Sequence, residues 1–180
     1  MDDSWKQSVE AGNAAFSEGR IEEAEIIFLK AVEAAEKFAQ DDPRLALSLN
    51  NLAAVLHTGK KLTLAEPLYK RSLDIKLRIH GNEPHADIAL NLHNLAVLYG
   101  ARHMFPIAEE YLKQALAMKE ALYGTDSREL LGSLRYYAAL LKVMKRPLDG
   151  HLIEARIAQI LKSDPDETPS QAQDKDGQGR

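Results

Sequence analysis

The apolar positions of the chain follow the spacing of helices. Leu49, Leu52 and Leu56 recur at intervals of three and four residues, and Leu64 and Leu68 continue the same spacing. Such intervals place side chains on one face of an α-helix. No segment shows the sustained alternation of apolar and polar residues that is typical of strands. The pattern therefore predicts an all-α protein.

One apolar segment recurs four times along the chain. Its copies are AEIIFLKAV from Ala24, AEPLYKRSL from Ala65, AEEYLKQAL from Ala108 and a more divergent GHLIEARIA from Gly150. Their starting positions are 41, 43 and 42 residues apart. A recurrence at one period indicates a tandem repeat of a small structural unit.

A second position repeats with the same period. A small residue lies about twelve positions upstream of each copy, at Gly12, Ala53, Ala96 and Ala138. These positions are again separated by 41, 43 and 42 residues. Because a small side chain lets two helices cross closely, we expect the two helices of each unit to meet here.

Loop signals separate the units. The segments DDPR, NEPH and TDSR interrupt the helical pattern at 41–44, 82–85 and 125–128. Asp42 before Pro43, and Asp126 with Glu129 three residues later, are typical of helix starts. An acidic side chain there accepts free backbone N–H groups, and proline is tolerated in the first turn.

Turns within the units complete the prediction of the fold. They divide each unit into two helices at 17–22, 57–63, 100–105 and 143–149. The sequence therefore predicts eight helices in four hairpins. The predicted repeats span approximately 5–40, 42–81, 84–124 and 126–162.

This arrangement resembles the tetratricopeptide repeat (TPR), in the longer form of about 42 residues found in kinesin light chains and many bacterial relatives. The resemblance is carried by LNNLAAVL with AEPLYKRSLDI, and by LHNLAVLY with AEEYLKQALAM. It weakens in the last unit, where Gly150 replaces alanine and Glu154 replaces an aromatic residue or leucine. It implies a right-handed α–α superhelix, a TPR solenoid of four helical hairpins, over residues 1–162.

The resemblance also implies that the first helix of each hairpin lines a concave groove. The residues predicted to contact a peptide there are Asn13, Asn50, Asn51, His93, Asn94, Arg135 and Tyr136. Asparagine disfavours helix interiors, and its amide can both donate to and accept from an extended peptide backbone. The alternative for these amides is a hydrogen bond to the neighbouring repeat, or simple exposure to solvent.

A more specific family function fits poorly. Some relatives clamp an acidic C-terminal tail with lysine and asparagine side chains. Asn13 and Asn51 match two positions of that clamp, but Val9 stands where its first lysine is needed. Leu90 and Asn94 replace its later basic pair. The resemblance therefore does not predict binding of such a tail.

Composition narrows the function classes. A net charge of −4 without a basic run argues against nucleic acid as a partner. The chain has no cysteine, which excludes disulfides, zinc–cysteine sites and a thiol nucleophile. His80, Glu83 and His85 share one loop, but a solvated loop explains them better than a metal site. No phosphate-binding loop or nucleophile elbow is present, so the sequence predicts no catalysis and no cofactor.

The two ends of the chain suggest its surroundings. The N-terminal segment lacks the basic and apolar regions of a secretory signal, and no apolar run has the roughly 20 residues of a membrane span. We therefore expect a cytoplasmic protein without a membrane partner. Residues 163–180 are rich in Asp, Gln, Gly and Pro, which predicts a disordered polar tail.

These observations predict a non-catalytic scaffold or adaptor that binds a peptide segment of a partner protein in its groove. Two alternatives stay open. In one, the chain self-associates through the uncovered last hairpin, whose apolar residues are Leu152, Ile153, Ile157, Ile160 and Leu161. In the other, it is a regulatory subunit of an enzyme encoded elsewhere.

Overall fold

The computed structural model describes residues 2–81 and 83–162. Within these residues the chain forms eight α-helices and no strand, which confirms the all-α prediction. The helices are α1 (Asp2–Ser17), α2 (Ile21–Ala35), α3 (Pro43–Thr58), α4 (Leu62–His80), α5 (Ala86–Ala101), α6 (Phe105–Tyr123), α7 (Leu131–Val143) and α8 (Pro147–Lys162). The predicted disordered tail, 163–180, lies outside the described residues.

Successive helices pair into four hairpins, and each hairpin stacks on the one before it. The pairs are α1 with α2, α3 with α4, α5 with α6 and α7 with α8. The second helix of each hairpin contacts the first helix of the next, and first helices also contact each other, α3 with α5 and α5 with α7. This is the predicted superhelix, with the first helices on its inner wall.

Small residues let the two helices of a hairpin approach each other. Ala53 and Ala96 are fully buried, and Ala138 is half-buried. A Cβ atom built on Gly12 would lie 2.8 Å from the ring of Phe28, which packs against it. The repeated small position is therefore a helix crossing, as predicted from its period.

The turn inside each hairpin has one backbone form. Gly19, Lys60, His103 and Lys145 all have a positive φ, between 57° and 76°. The residue that follows each of them donates its N–H to a carbonyl five residues back, as in Arg20 to Ala15. This left-handed ending is common at helix C-termini, and it costs a residue other than glycine roughly 1 kcal/mol or more.

The helix starts agree only in part with the sequence prediction. Asp42 caps α3, since its carboxylate accepts from the Arg44 N–H at 2.9 Å. The prediction for Asp126 is wrong, because Ser127 accepts from the Glu129 N–H at 3.3 Å. A 3₁₀ turn, Arg128–Leu130, precedes α7, so the residue directly before that turn becomes the cap.

Candidate functional site

The inner wall of the superhelix carries all seven residues that the sequence predicted for the groove. Asn13 lies on α1, Asn50 and Asn51 on α3, His93 and Asn94 on α5, and Arg135 and Tyr136 on α7. They do not form one site, because some contact the neighbouring hairpin and others face solvent.

An amide cluster joins the second and third hairpins. The Asn50 Oδ1 atom is buried and accepts from the Asn94 Nδ2 atom at 3.2 Å and from the Asn91 Nδ2 atom at 3.5 Å. Asn91 is fully buried, and its Oδ1 atom has no hydrogen-bond partner among the described residues. Asn50 and Asn94 thus make the inter-repeat contact that was the alternative to binding a peptide.

An imidazole and a phenol join the third and fourth hairpins. The His93 Nδ1 atom lies 3.2 Å from the Ser133 Oγ atom, and the His93 ring meets the edge of the Tyr136 ring. Burial, and then the charge of Lys119, lower the pKa of His93. The Tyr136 hydroxyl donates to the Ala96 carbonyl at 3.4 Å. His93 and Tyr136 therefore also have a stacking role.

The remaining three predicted residues have unused polar groups. Asn13 and Arg135 are exposed, and Asn51 is half-buried. None of the three makes a side-chain hydrogen bond to any residue within 2–81 or 83–162. Among the seven, only Asn50 and Asn51 share one recess, so they are the pair that the structure brings together.

That recess has a volume of about 410 Å³ and spans the first three hairpins. Its walls include Leu47 and Leu90, which occupy the same position in successive repeats and are 41% and 48% exposed. Trp5 borders it and donates its indole N–H to the Ser48 Oγ atom at 2.8 Å. We call this surface the inner recess. It combines exposed apolar side chains with the free amide of Asn51.

The inner recess contains a lysine that the sequence prediction missed. Lys76, on α4, is only 6% exposed, and its Nζ atom donates to the Asp87 carbonyl at 3.1 Å. Burial lowers the pKa of Lys76 to about 8, although the charge of Asp87 raises it. The prediction considered only first helices, so a residue that reaches the wall from a second helix gave no signal.

The hairpin turns form a second polar region at the opposite end of each helix pair. A glutamate near the start of each second helix pairs with a basic residue of the next hairpin. The pairs are Glu25 with Lys61, Glu66 with Arg102 and Glu109 with Arg146. We call these ion pairs the turn-edge clusters. They hold successive hairpins in register.

The two later clusters are the more elaborate. Glu66 accepts from Lys70 and from the Tyr99 hydroxyl, both at 2.7 Å, and these hydrogen bonds lower its pKa to about 2. Glu109 is buried, which raises its pKa. Hydrogen bonds from Lys113, Tyr137 and Arg146 outweigh that burial and lower the pKa of Glu109 to about 2. Both carboxylates are therefore ionised and engaged within the fold at neutral pH.

The last hairpin lacks this arrangement on its outer end. His151 stands where the other three hairpins have the glutamate, and its Nδ1 atom lies 3.2 Å from the Glu154 carboxylate. Glu154 is exposed, whereas its counterparts Phe28, Tyr69 and Leu112 are buried. The end face of the last hairpin is thus polar at the two positions that pack elsewhere.

The apolar residues of α8 are only partly available for self-association. Ile160 is fully buried, and Ile153 and Ile157 are half-buried. Leu152 and Leu161 are 71% and 45% exposed. The uncovered apolar surface is therefore smaller than the sequence suggested.

Two searches of the described residues bear on chemistry and membranes. No group of three or more His, Asp or Glu side chains is placed to hold a metal ion in the part of the chain that the structure describes. The His80 and His85 rings stack on each other, with centroids 3.6 Å apart. Across residues 2–81 and 83–162, no helix is long and apolar enough to cross a membrane.

Comparison with known proteins gives one family and several similar folds. The model of the tetratricopeptide repeat matches residues 7–78 and 61–121. No curated protein matches the chain. A solved structure of BtubC (BKLC) from P. vanneervenii is 23% identical, with a TM-score of 0.76 over 84% of this chain and 60% of that chain. This chain thus spans 60% of the length of BtubC.

A second solved structure is a Podosopora anserina kinesin light chain-like protein with nearly identical TPR-like repeats. It is 19% identical and has a TM-score of 0.79 over 94% of this chain and 82% of that chain. At these identities the two structures show a shared fold. Together with the family model they confirm the resemblance drawn from the sequence.

Proposed function

Because the chain belongs to the tetratricopeptide-repeat family, we propose that it is a non-catalytic scaffold or adaptor that holds a segment of a partner protein on its inner wall. The inner recess supports this proposal more than any other feature. Leu47 and Leu90 expose apolar surface in successive repeats, and Asn51 beside them has a free amide. Contiguous apolar surface with convergent polar groups is typical of a binding groove.

Asn51 is the residue best placed to contact the partner's backbone. Its amide offers two donors and an acceptor, so it can bond both an N–H and a C=O of an extended chain whatever the side chains are. We assign the neighbouring Asn50, Asn94, His93 and Tyr136 a supporting role, with their remaining surface facing the partner. A wall that is already fixed by hydrogen bonds loses less entropy on binding.

Asn13 and Arg135 extend the proposed contact to the two ends of the wall. Both are exposed, and both lie on first helices, in the first and the last hairpin respectively. Their polar groups would contact the flanks of a segment centred on the inner recess. The partner in this proposal is a protein or peptide.

The test is affinity capture from an extract of the native host, followed by peptide mapping of what is retained. The inner-wall variant is Leu47→Ala with Leu90→Ala. The matched control is Ile26→Ala with Leu29→Ala, which removes side chains that are 57% and 46% exposed on α2, a second helix. We expect the inner-wall variant to lose at least about tenfold in affinity for the retained partner, because two apolar contacts disappear. Equal retention by both variants would refute the proposed groove.

A further inference from the structure

Lys76 is a buried cation at the bottom of the inner recess. Its side chain reaches from α4 to the recess that the first helices form, and the residue is 6% exposed. An ammonium group has three donors, and the Asp87 carbonyl takes one of them at 3.1 Å. A charge removed from water is costly unless an opposite charge or further hydrogen bonds offset it.

The charged groups around Lys76 do not supply that opposite charge. The Asp42 carboxylate is already paired with Arg44 at 2.7 Å. Asp87 offers its carbonyl, while its carboxylate is exposed and makes no ion pair with Lys76. His80 lines the recess with its ring stacked on His85. In the described part of the chain, Lys76 therefore has no carboxylate partner.

We propose that Lys76 binds the carboxylate of an aspartate or glutamate side chain in the partner segment. This inference rests on the proposed function, and it gives the segment a chemical requirement at one position. The carboxylate would accept from the free donors of Lys76 and from the amide of Asn51. Leu47 and Leu90 would cover the aliphatic part of the segment on either side. The site binds one carboxylate, with its cation supplied by a second helix.

Lys119 provides an internal control for a purely structural role of Lys76. It occupies the same position in the next repeat, 43 residues later, and its Nζ atom donates to the Glu129 carbonyl at 3.0 Å. Burial also lowers the pKa of Lys119. Lys119 does not line the inner recess. If both lysines served only to bond a backbone carbonyl, their removal would have the same consequences.

The experiment uses three short probes on the full chain. They are the capped peptides acetyl-Leu-Glu-Leu-amide and acetyl-Leu-Gln-Leu-amide, and acetyl-Leu-Gln-Leu with a free C-terminal carboxylate. Binding is followed by NMR through the backbone amides of Asn50, Asn51 and Leu90. Each probe is titrated into the wild-type chain, Lys76→Met and Lys119→Met. Lys76→Gln, which keeps a donor for the Asp87 carbonyl, replaces Lys76→Met if that variant does not fold.

We expect the glutamate probe to bind the wild-type chain at least about tenfold more tightly than the capped glutamine probe, as for one charge-assisted hydrogen bond. Lys76→Met should abolish that difference, and Lys119→Met should preserve it. The proposal is overturned if the difference is absent, survives in Lys76→Met or disappears equally in Lys119→Met. It is also overturned if the probe with the free terminal carboxylate binds as well as the glutamate probe.

These results separate the carboxylate site from the proposed function. Suppose that Leu47→Ala with Leu90→Ala loses the native partner, while the glutamate and glutamine probes bind alike. Then the groove binds a partner and the carboxylate requirement is wrong. If the inner-wall variant keeps the partner, the proposed function itself fails, whatever the probes show.

Discussion

The turn-edge clusters and the inner recess are both polar and both repeat with the period of the chain, but their hydrogen bonds differ. Glu109 in the turn-edge cluster accepts from Tyr137 and Arg146 of the next hairpin. At the inner recess, Asn51 has no hydrogen-bond partner within the described residues, and Lys76 uses one donor. Repetition alone therefore does not distinguish a residue that joins repeats from one that is free to bind. The number of unused donors and acceptors does.

The largest effect is expected from breaking a turn-edge cluster. Glu109→Ala would leave Tyr137 and Arg146 without their acceptor at the junction of the third and fourth hairpins. We expect a loss of about 2–3 kcal/mol in the free energy of unfolding, measured by denaturant titration. Glu110→Ala removes an exposed neighbour on the same helix and should change the stability by less than about 0.5 kcal/mol. Similar losses in both variants would mean that the cluster does not stabilise the junction.

Acid should weaken the same clusters. The pKa values of Glu66 and Glu109 are about 2 in the fold, below the ordinary value of about 4.3 for glutamate. Their stabilising effect is therefore complete above about pH 5 and is lost as the pH falls towards 2. The expected loss is on the order of 2 kcal/mol, because the exposed lysine partners are screened by solvent.

The measurement is the free energy of unfolding between pH 6 and 2, titration limits that follow from these two pKa values. Glu66→Gln with Glu109→Gln should be less stable at neutral pH and should show a flatter dependence on pH. An unchanged slope in this double variant would assign the acid sensitivity to other carboxylates.

A smaller effect is expected where the third and fourth hairpins meet on the inner wall. A Cβ atom on Gly100 would lie 2.0 Å from the Tyr136 hydroxyl, so Gly100→Ala must displace that ring and its hydrogen bond. We expect a loss of about 1–2 kcal/mol in thermal or chemical unfolding. Gly132→Ala is the control, since nothing lies within 4 Å of its Cβ position and alanine favours helix. That control should be neutral or slightly stabilising.

The smallest change in stability separates Asn94 from Asn51. Asn94→Ala removes a hydrogen bond to Asn50 and should cost about 1 kcal/mol of unfolding free energy. Asn51→Ala should leave stability within about 0.5 kcal/mol and weaken capture of the partner. The opposite result, a destabilised Asn51→Ala with normal capture, would make Asn51 a structural residue.

The fold could be predicted from the sequence because its period is recorded several times over. The small residues at Gly12, Ala53 and Ala96 and the apolar segments from Ala24 and Ala65 share one spacing, and each is required by helix packing. The cap at Asp126 failed because the choice between Asp126 and Ser127 depends on where a 3₁₀ turn begins. Periodicity does not resolve a shift of one residue.

The site could be predicted only in part. Asn50 and Asn51 are adjacent, and a helix rotates by about 100° per residue, so one is buried against α5 and the other borders the inner recess. The sequence shows both amides but not this rotation. Lys76 was missed for a different reason. Its long side chain reaches the recess from another helix, and no pattern along α3 or α5 contains it.

The substitution of His151 for glutamate bears on whether copies of the chain can join end to end. Stacking of one chain's first hairpin on another's last would be a head-to-tail interface, and such interfaces grow into filaments when they do not close into rings. Arg20, in the first turn, is the residue that such a contact would bring to the last hairpin. It would meet His151 there instead of a carboxylate. The superhelix therefore has a defined end, and light scattering should show no growth in mass with concentration.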